Sequence, residues 1–258
     1  MPRPDASAKI AAAAPKSSST KVWLAALVTL LVVGGIVAAV VLGGRKDSPA
    51  PGATPSGSGS VSGSGQTSPT PRVPKGASGF GGTMVVSQGK AGAPTLEIFE
   101  DPQCPACAQF EHVFGQVIED MAAKGEITLK VHTMSFLDAM LKNTSSTRAA
   151  NAAFCAADQG VFRAYTDATY AGQPAQEGKG WTDAELEAFA MRAKVPDLPQ
   201  WQACQKALTY QAHIAELETT AEKAGVTSTP TILVNGKKLT IDSGDPAAFR
   251  AKVLAAAQ

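Results

Sequence analysis

The chain has 258 residues and a formal net charge of +1, with 23 Lys and Arg against 22 Asp and Glu. It therefore lacks the basic excess that would mark a nucleic-acid-binding protein. Hydrophobic residues make up 44% and aromatics only 6%, an Ala-rich composition in which helices should outnumber strands.

Residues 22–42, VWLAALVTLLVVGGIVAAVVL, form an uncharged apolar run that as a helix would cross roughly 30 Å of hydrocarbon. The apolar centre of a cleaved signal peptide is shorter, roughly 7–15 residues, and a buried core helix rarely lacks charge over such a length. Residues 22–43 are therefore expected to be a signal anchor set in membrane lipid. Arg3, Lys9, Lys16 and Lys21 precede the run against Asp5 alone, whereas Arg45 and Lys46 follow it with Asp47. By the cytoplasmic bias of basic residues, residues 1–21 stay inside and the rest lies outside a bacterial cell membrane crossed once. Residues 44–81 are almost all Ser, Gly, Pro, Thr and Ala, too poor in apolar side chains to offset the entropy of ordering. They are expected to form a flexible tether with a reach on the order of 30–35 Å.

Residues 82–258 carry the globular signals. Gly82–Ser87 (GTMVVS) and Ala93–Glu100 (APTLEIFE) read as strands, the second running straight into Cys104 and Cys107. Phe110, Val113, Phe114, Val117, Ile118 and Met121 then recur at helical spacing, with Gly125 to end the helix. Ile127, Leu129 and Val131 alternate with Thr128, Lys130 and His132, predicting a strand with one buried face that completes a right-handed βαβ unit. A helical insertion is expected over about 143–226. Asn143-Thr144-Ser145, formally a glycosylation acceptor, is explained as the turn that starts a helix. Thr182 and Glu185 form a capping box for a helix through Met191. Pro196 and Pro199 break the chain before a helix that runs to about Lys223 and ends at Gly225. Asn235-Gly236 then marks a hairpin within Thr231–Ile241, and Asp245-Pro246 opens a last helix with Phe249 and Val253 facing inward.

A Cys-X-X-Cys pair at a strand-to-helix junction has a physical purpose. Unpaired N–H groups at a helix N-terminus favour thiolate on the first cysteine, and thiolate is the nucleophile of disulfide exchange. Cys104 would be the exposed attacking sulfur, and Cys107 would face inward to resolve the mixed disulfide. Pro105 occupies a first-turn position that needs no N–H. A zinc site would need a second ligand pair, but Cys155, Cys204, His112, His132 and His213 show no paired spacing, and no metal is expected. A purely structural Cys104–Cys107 bridge would close too small a loop to constrain the unfolded chain much. Cys155 and Cys204 are better read as a structural disulfide within the insertion, contributing an estimated 3–4 kcal/mol, against the alternative of two buried thiols. His112 reads as a surface residue.

With DPQCPAC after a strand and GVTSTPTILVNG (Gly225–Gly236) before the hairpin, residues 82–258 resemble the DsbA family of thiol–disulfide oxidoreductases. The resemblance implies an α/β thioredoxin fold with an inserted helical domain, with Cys104 as nucleophile and Cys107 as resolving thiol. It also implies a cis Thr229–Pro230 bond against the pair, leaving the Thr229 backbone free to bind an extended substrate strand. No cofactor is implied. The implied partners are reduced exported proteins and a membrane-embedded reoxidase, DsbB-like or a vitamin K epoxide reductase homologue.

Three positions depart from the family pattern. Ala106 stands where many members have His, which predicts a less acidic Cys104 and a weaker oxidant. Ser228 replaces a common Gly. Ile98 occupies the position, six residues before Cys104, that often holds a buried acid. Glu97, Glu100 and Asp101 are the candidates for a proton relay to Cys107, although solvated or loop carboxylates are the preferred reading. The expected function is a monomeric, membrane-tethered oxidase. A reductase or isomerase is the alternative, and a non-catalytic metal-binding or docking module the third reading.

Overall fold

The computed structural model describes residues 71–256. The predicted cytoplasmic tail, the apolar segment 22–43 and the tether up to residue 70 lie outside the described residues. No helix among the described residues is long and apolar enough to cross a membrane.

Five strands form one sheet: β1 (Met84–Ser87), β2 (Thr95–Glu100), β3 (Thr128–Thr133), β4 (Thr231–Val234) and β5 (Lys237–Lys238), in the order β1-β3-β2-β4-β5. β2 and β3 are parallel, and the other neighbours are antiparallel. A parallel pair requires a crossover, supplied by α1 (Pro105–Ala123). Phe110, Phe114, Ile118 and Met121 of α1 are buried, with Val113 and Val117 only partly so. Phe110 and Phe114 meet Phe249 of α8 (Pro246–Ala255), with ring centroids 6.0 and 4.7 Å apart. Asp245 caps α8 by accepting from the Ala247 N–H.

The helical block comprises α2 (Phe136–Leu141), α3 (Ser145–Ala157), α4 (Phe162–Ala171), α5 (Asp183–Arg192), α6 (Leu198–Lys206) and α7 (Gln211–Lys223). It begins seven residues earlier than expected, because α2 is only six residues long and too short to show a helical period. Pro199 does not break the chain. It sits in the first turn of α6 behind the Asp197 cap, where the missing N–H goes unneeded. The single helix expected up to Lys223 is divided into α6 and α7, with Leu208 between them at φ 46°. The capping box of α5 is present as expected. Asn235 and Gly236 turn the β4–β5 hairpin with φ 49° and 75°, the left-handed pair that a two-residue hairpin needs. β5 is only the exposed Lys237-Lys238 pair.

Ala-rich α3 is buried over ten of its thirteen residues, and its small side chains let neighbouring helices approach closely. Cys155 of α3 is bonded to Cys204 of α6, with Cα atoms 5.9 Å apart. Nearby, the Asn151 amide donates to Gln205 Oε1 at 2.7 Å and accepts from the Tyr210 N–H at 2.8 Å.

Two further expectations are corrected. Residues 74–81, assigned to the tether by composition, dock on the domain. The Lys75 N–H donates to Asp158 and the Gly81 N–H to His213 Nδ1, while the Phe80 ring meets His213 edge-on. Backbone donors and one aromatic ring suffice there because Asp158, at the end of α3, and His213 of α7 supply finished partners. His132, placed on the solvent face of β3, is instead buried and stacked on Phe99 at 3.8 Å.

The Cys155–Cys204 bridge closes a 49-residue separation. Replacing both cysteines by Ala is expected to lower unfolding free energy by about 3–4 kcal/mol through loss of that constraint on the unfolded chain. Denaturant titration of the oxidised and doubly substituted proteins measures it; equal midpoints would show that the bridge adds nothing.

Candidate active site

β2 ends at Glu100, and a turn through Asp101, Pro102 and Gln103 delivers Cys104 to the N-cap of α1. Cys104 has extended backbone angles and no side-chain cap. Pro105 opens the helix, Pro105 and Ala106 are exposed, and Cys107 lies one turn on with no exposed surface. Both cysteines are free thiols.

β4 runs antiparallel to β2, so the residues that lead into β4 arrive beside the end of β2. The Thr229–Pro230 bond there is cis, and the Cys104 thiol donates to the Thr229 carbonyl at 3.4 Å. Sequence reasoning expected an exposed attacking sulfur, yet Cys104 is only 6% accessible. Leu137 and Tyr170 from the helical block pack with the pair, as do the partly buried Phe136, Leu141 and Ala108. The insertion thus covers one side of the motif and the Thr229 segment another.

The two sulfurs differ sharply. The Cys104 thiol is lowered from its ordinary 9.0 to about 6, first by the hydrogen bond it accepts from Cys107 and against the cost of burial. Thr229 and the N–H groups of Cys107 and Ala106 add to the effect. The Thr229 hydroxyl has no partner among the described residues, so it can donate to a thiolate. Cys107 is pushed far upward, first by burial and then by its hydrogen bond to Cys104. The arrangement favours thiolate on Cys104 and thiol on Cys107.

The three candidate carboxylates part company. Glu97 pairs with His132 Nε2 at 3.2 Å, and that hydrogen bond holds it below the usual carboxylate range. It alternates away from Glu100 along β2. Glu100 and Asp101 are both fully buried, so neither is solvated, although Asp101 does lie in the turn after β2. Neither oxygen of Glu100 has a hydrogen-bond donor among the described residues. Burial, followed by the charge of Glu111, drives its pKa well upward. Strand parity gives it its place: Glu100 shares a face with Ile98 and lies two residues nearer Cys104.

Asp101 accepts from the Gln103 N–H at 2.8 Å, the Leu137 N–H at 2.9 Å and the Ser146 hydroxyl at 2.6 Å. Burial still raises it to about 7 despite the three donors. The Gln103 amide donates to Asp138, Asn143 and Ser146, and Asp138 in turn accepts two N–H groups of the first turn of α3, those of Ser146 and Thr147. From beyond α4, the Gln173 amide grips the Pro102 and Cys104 carbonyls at 2.8 and 3.0 Å. Asn143 forms the expected turn by accepting from the Ser145 N–H.

Sequence reasoning missed Gln103, Ser146, Gln173, Tyr170 and the Glu111–Arg163 pair. Polar side chains of the insertion carry no local signal that they reach the motif. Gly115 was the one available hint, a helix-interior glycine that weakens its helix unless something needs the space. Among the described residues, no group of three or more His, Cys, Asp or Glu side chains is placed to hold a metal ion.

A family model described as thioredoxin matches residues 81–253. Among solved structures, the reduced form of the disulfide bond oxidoreductase DsbG from Mycobacterium tuberculosis superposes with a TM-score of 0.58 at 30% identity, covering 68% of this chain and 87% of that one. Reduced DsbA from the same organism gives 0.57 at 29% identity, covering 66% and 90%. BdbD from Bacillus subtilis, at 21% identity and a TM-score of 0.57, shares the fold over 72% of this chain and 97% of its own. Among curated proteins, the serine/threonine-protein kinase PknE of Mycobacterium tuberculosis is 31% identical over 110 residues, or 40% of this chain. The chain spans only 19% of that kinase's length.

Alkylation of Cys104 in the reduced protein by iodoacetamide should rise with pH to half its maximum near pH 6, while Cys107 stays unreactive until the protein unfolds. Mass-resolved alkylation across pH reads both sulfurs. A midpoint near 9 would show that the surrounding donors do not stabilise the thiolate.

Proposed function

The chain belongs to the thioredoxin family and is an enzyme of thiol–disulfide exchange, and from that premise we propose that it is an oxidase donating the Cys104–Cys107 disulfide to exported, unfolded proteins. The observation that carries this reading is the opposite displacement of the two thiols, Cys104 downward and Cys107 upward. A stabilised Cys104 thiolate stabilises the reduced enzyme, and a pair whose reduced form is stabilised is a better oxidant.

The proposed cycle begins with a substrate thiolate attacking Cys104 of the enzyme disulfide. The substrate–Cys104 bond forms, the Cys104–Cys107 bond breaks, and Cys107 leaves as a thiolate that its buried site cannot tolerate. Glu100, neutral in its donor-free pocket, supplies the proton. A second substrate thiolate then attacks the sulfur joined to Cys104 and releases Cys104 as the favoured thiolate. Two electrons have passed from substrate to enzyme. The backbone at Thr229, beside the Cys104 sulfur, would hold the substrate as an added strand.

Reoxidation would fall to a membrane-embedded partner of the DsbB or vitamin K epoxide reductase type. The apolar run 22–42 and the Ser/Gly/Pro-rich residues after it support a domain tethered outside the cell membrane, free to visit both substrate and partner. The tether stands where dedicated isomerases carry a dimerisation module, which favours a monomeric oxidase over an isomerase. The Ala106 side chain offers no donor to Cys104, so the pair should oxidise less strongly than CPHC pairs.

The oxidised domain, residues 71–258, is expected to introduce disulfides into a reduced unfolded substrate, and the Cys104→Ser variant should not. Equal rates for the two would remove the proposal. Insulin reduction or refolding of a scrambled substrate that outpaces oxidation would replace it with a reductase or isomerase. Ala106→His should shift the glutathione equilibrium toward the reduced enzyme by roughly tenfold or more, equivalent to about 30 mV per factor of ten. An unchanged equilibrium would show that Ala106 does not set the potential.

A further inference from the structure

Glu100 has no exposed surface, so a proton exchanged with Cys107 must reach water through a second group. We propose that Glu111 is that group, and that it carries the proton between Glu100 and an open groove along α1. The proposal rests on the reading of Glu100 as the acid–base partner of Cys107.

Four observations converge on Glu111. It follows Cys107 by one helical turn, so the two share a face of α1. Its carboxyl stands close enough to Glu100 to help raise that group, and neither Glu100 oxygen meets a donor among the described residues. One shared proton satisfies both groups. Its other contact is the guanidinium of Arg163 on α4, at 2.9 Å, which holds one negative charge on the pair. Finally, its side chain is 6% exposed and lines a groove of about 590 Å³ between α1 and α4, together with Pro105, His112, Gln116, Glu119 and Asp167.

Gly115 supplies the space. A Cβ at that position would come within 3.0 Å of Glu111 Oε2, so the glycine lets the carboxyl lie against the helix between Glu100 and the groove. The charged and titratable groups around the pair are Cys107 and Glu119 on α1, and Arg163, Asp167 and Tyr170 on α4. Arg163 also contacts Asp167 at 3.3 Å and Glu119 at 3.7 Å. The Tyr170 hydroxyl is buried without a partner among the described residues.

The transfer balances without burying two carboxylates. At rest Glu100 is protonated and Glu111 is ionised beside Arg163. When the pair closes during reoxidation, the Glu100 proton hops to Glu111. Cys107 passes its own proton to Glu100 as its sulfur attacks Cys104, and the thiolate of the reoxidising partner leaves with two electrons. Glu111 then releases a proton to water in the groove, which restores the resting state. Proton delivery to Cys107 during substrate oxidation runs the same route in reverse.

The full-length reduced chain is mixed with oxidised glutathione, and acid-quenched samples are resolved by mass into thiol, glutathione mixed disulfide and closed disulfide. Glu111→Gln should form the mixed disulfide at the wild-type rate but close it about 100-fold more slowly, the scale of a lost acid–base group. Gly115→Ala, which favours the helix but displaces the carboxyl, should also slow closure. Acetate should restore closure to Glu111→Ala by entering the groove, an effect that lost packing would not show. If Glu111→Gln does not fold, Gly115→Ala decides alone. Wild-type closure in the folded Glu111 and Gly115 variants, with Glu100→Gln slow, would overturn this route and leave Glu100 in its role. Wild-type closure in Glu100→Gln would remove both readings.

Discussion

The position of the redox pair depends on Asp101. Its carboxylate accepts from the motif itself through the Gln103 N–H, from α2 through the Leu137 N–H and from α3 through the Ser146 hydroxyl. Three elements far apart in sequence are thereby fixed to one buried group. A buried carboxylate with several good donors is tolerable where an unpaired one is not, and here the donors are the parts that must be held in register. Gln103 and Gln173 extend the clamp to Asp138, Asn143 and the Pro102 and Cys104 carbonyls. The helical insertion is therefore part of the site, since it fixes the turn from which Cys104 starts α1.

The same insertion supplies the charge that the site needs. Glu100 and Glu111 stand close together in a buried region, where two ionised carboxyls would repel at low dielectric. Arg163, from α4, is the cation that contacts Glu111, Glu119 and Asp167. Burial and the neighbouring acids still raise Asp167 to about 7, against the pull of Arg163. Burial and mutual repulsion among several acids that share one guanidinium keep part of the cluster protonated near neutral pH.

Much of the framework was legible in the sequence because local rules governed it. Alternation in Ile127–Val131, helical recurrence from Phe110 to Met121, the Asn235-Gly236 turn and the Asp245-Pro246 cap each depend on neighbours a few residues away. The Cys104–Cys107 motif and Thr229-Pro230 were legible by resemblance. Tertiary partners decided the rest. His132 looked solvent-facing by parity until Phe99 stacked on it, and residues 74–81 looked like linker until α3 and α7 gave them partners. Glu97, Glu100 and Asp101 were all candidates in the sequence, and strand parity with the covering insertion separates them, since Glu100 shares the face of Ile98 and Glu97 does not. Arg163 and Gln173 lie 59 and 69 residues beyond Cys104, too far for any spacing rule to connect them with it.

Ala106 acquires a definite meaning in this setting. Without an imidazole between the cysteines, the Cys104 thiolate is held chiefly by the hydrogen bond that Cys107 donates. The same bond is among the causes that raise Cys107, so the two displacements are partly one interaction seen from its two ends. That bond exists only while the pair is reduced and Cys107 keeps its proton. Stabilisation of the reduced state is thus tied to the protonation of the buried sulfur more closely than it would be with an independent donor between the cysteines. Whatever holds the Cys107 proton therefore also bears on how strongly the pair oxidises, and the role proposed for Glu100 and Glu111 would act on Cys104 by that route, although neither would touch the substrate.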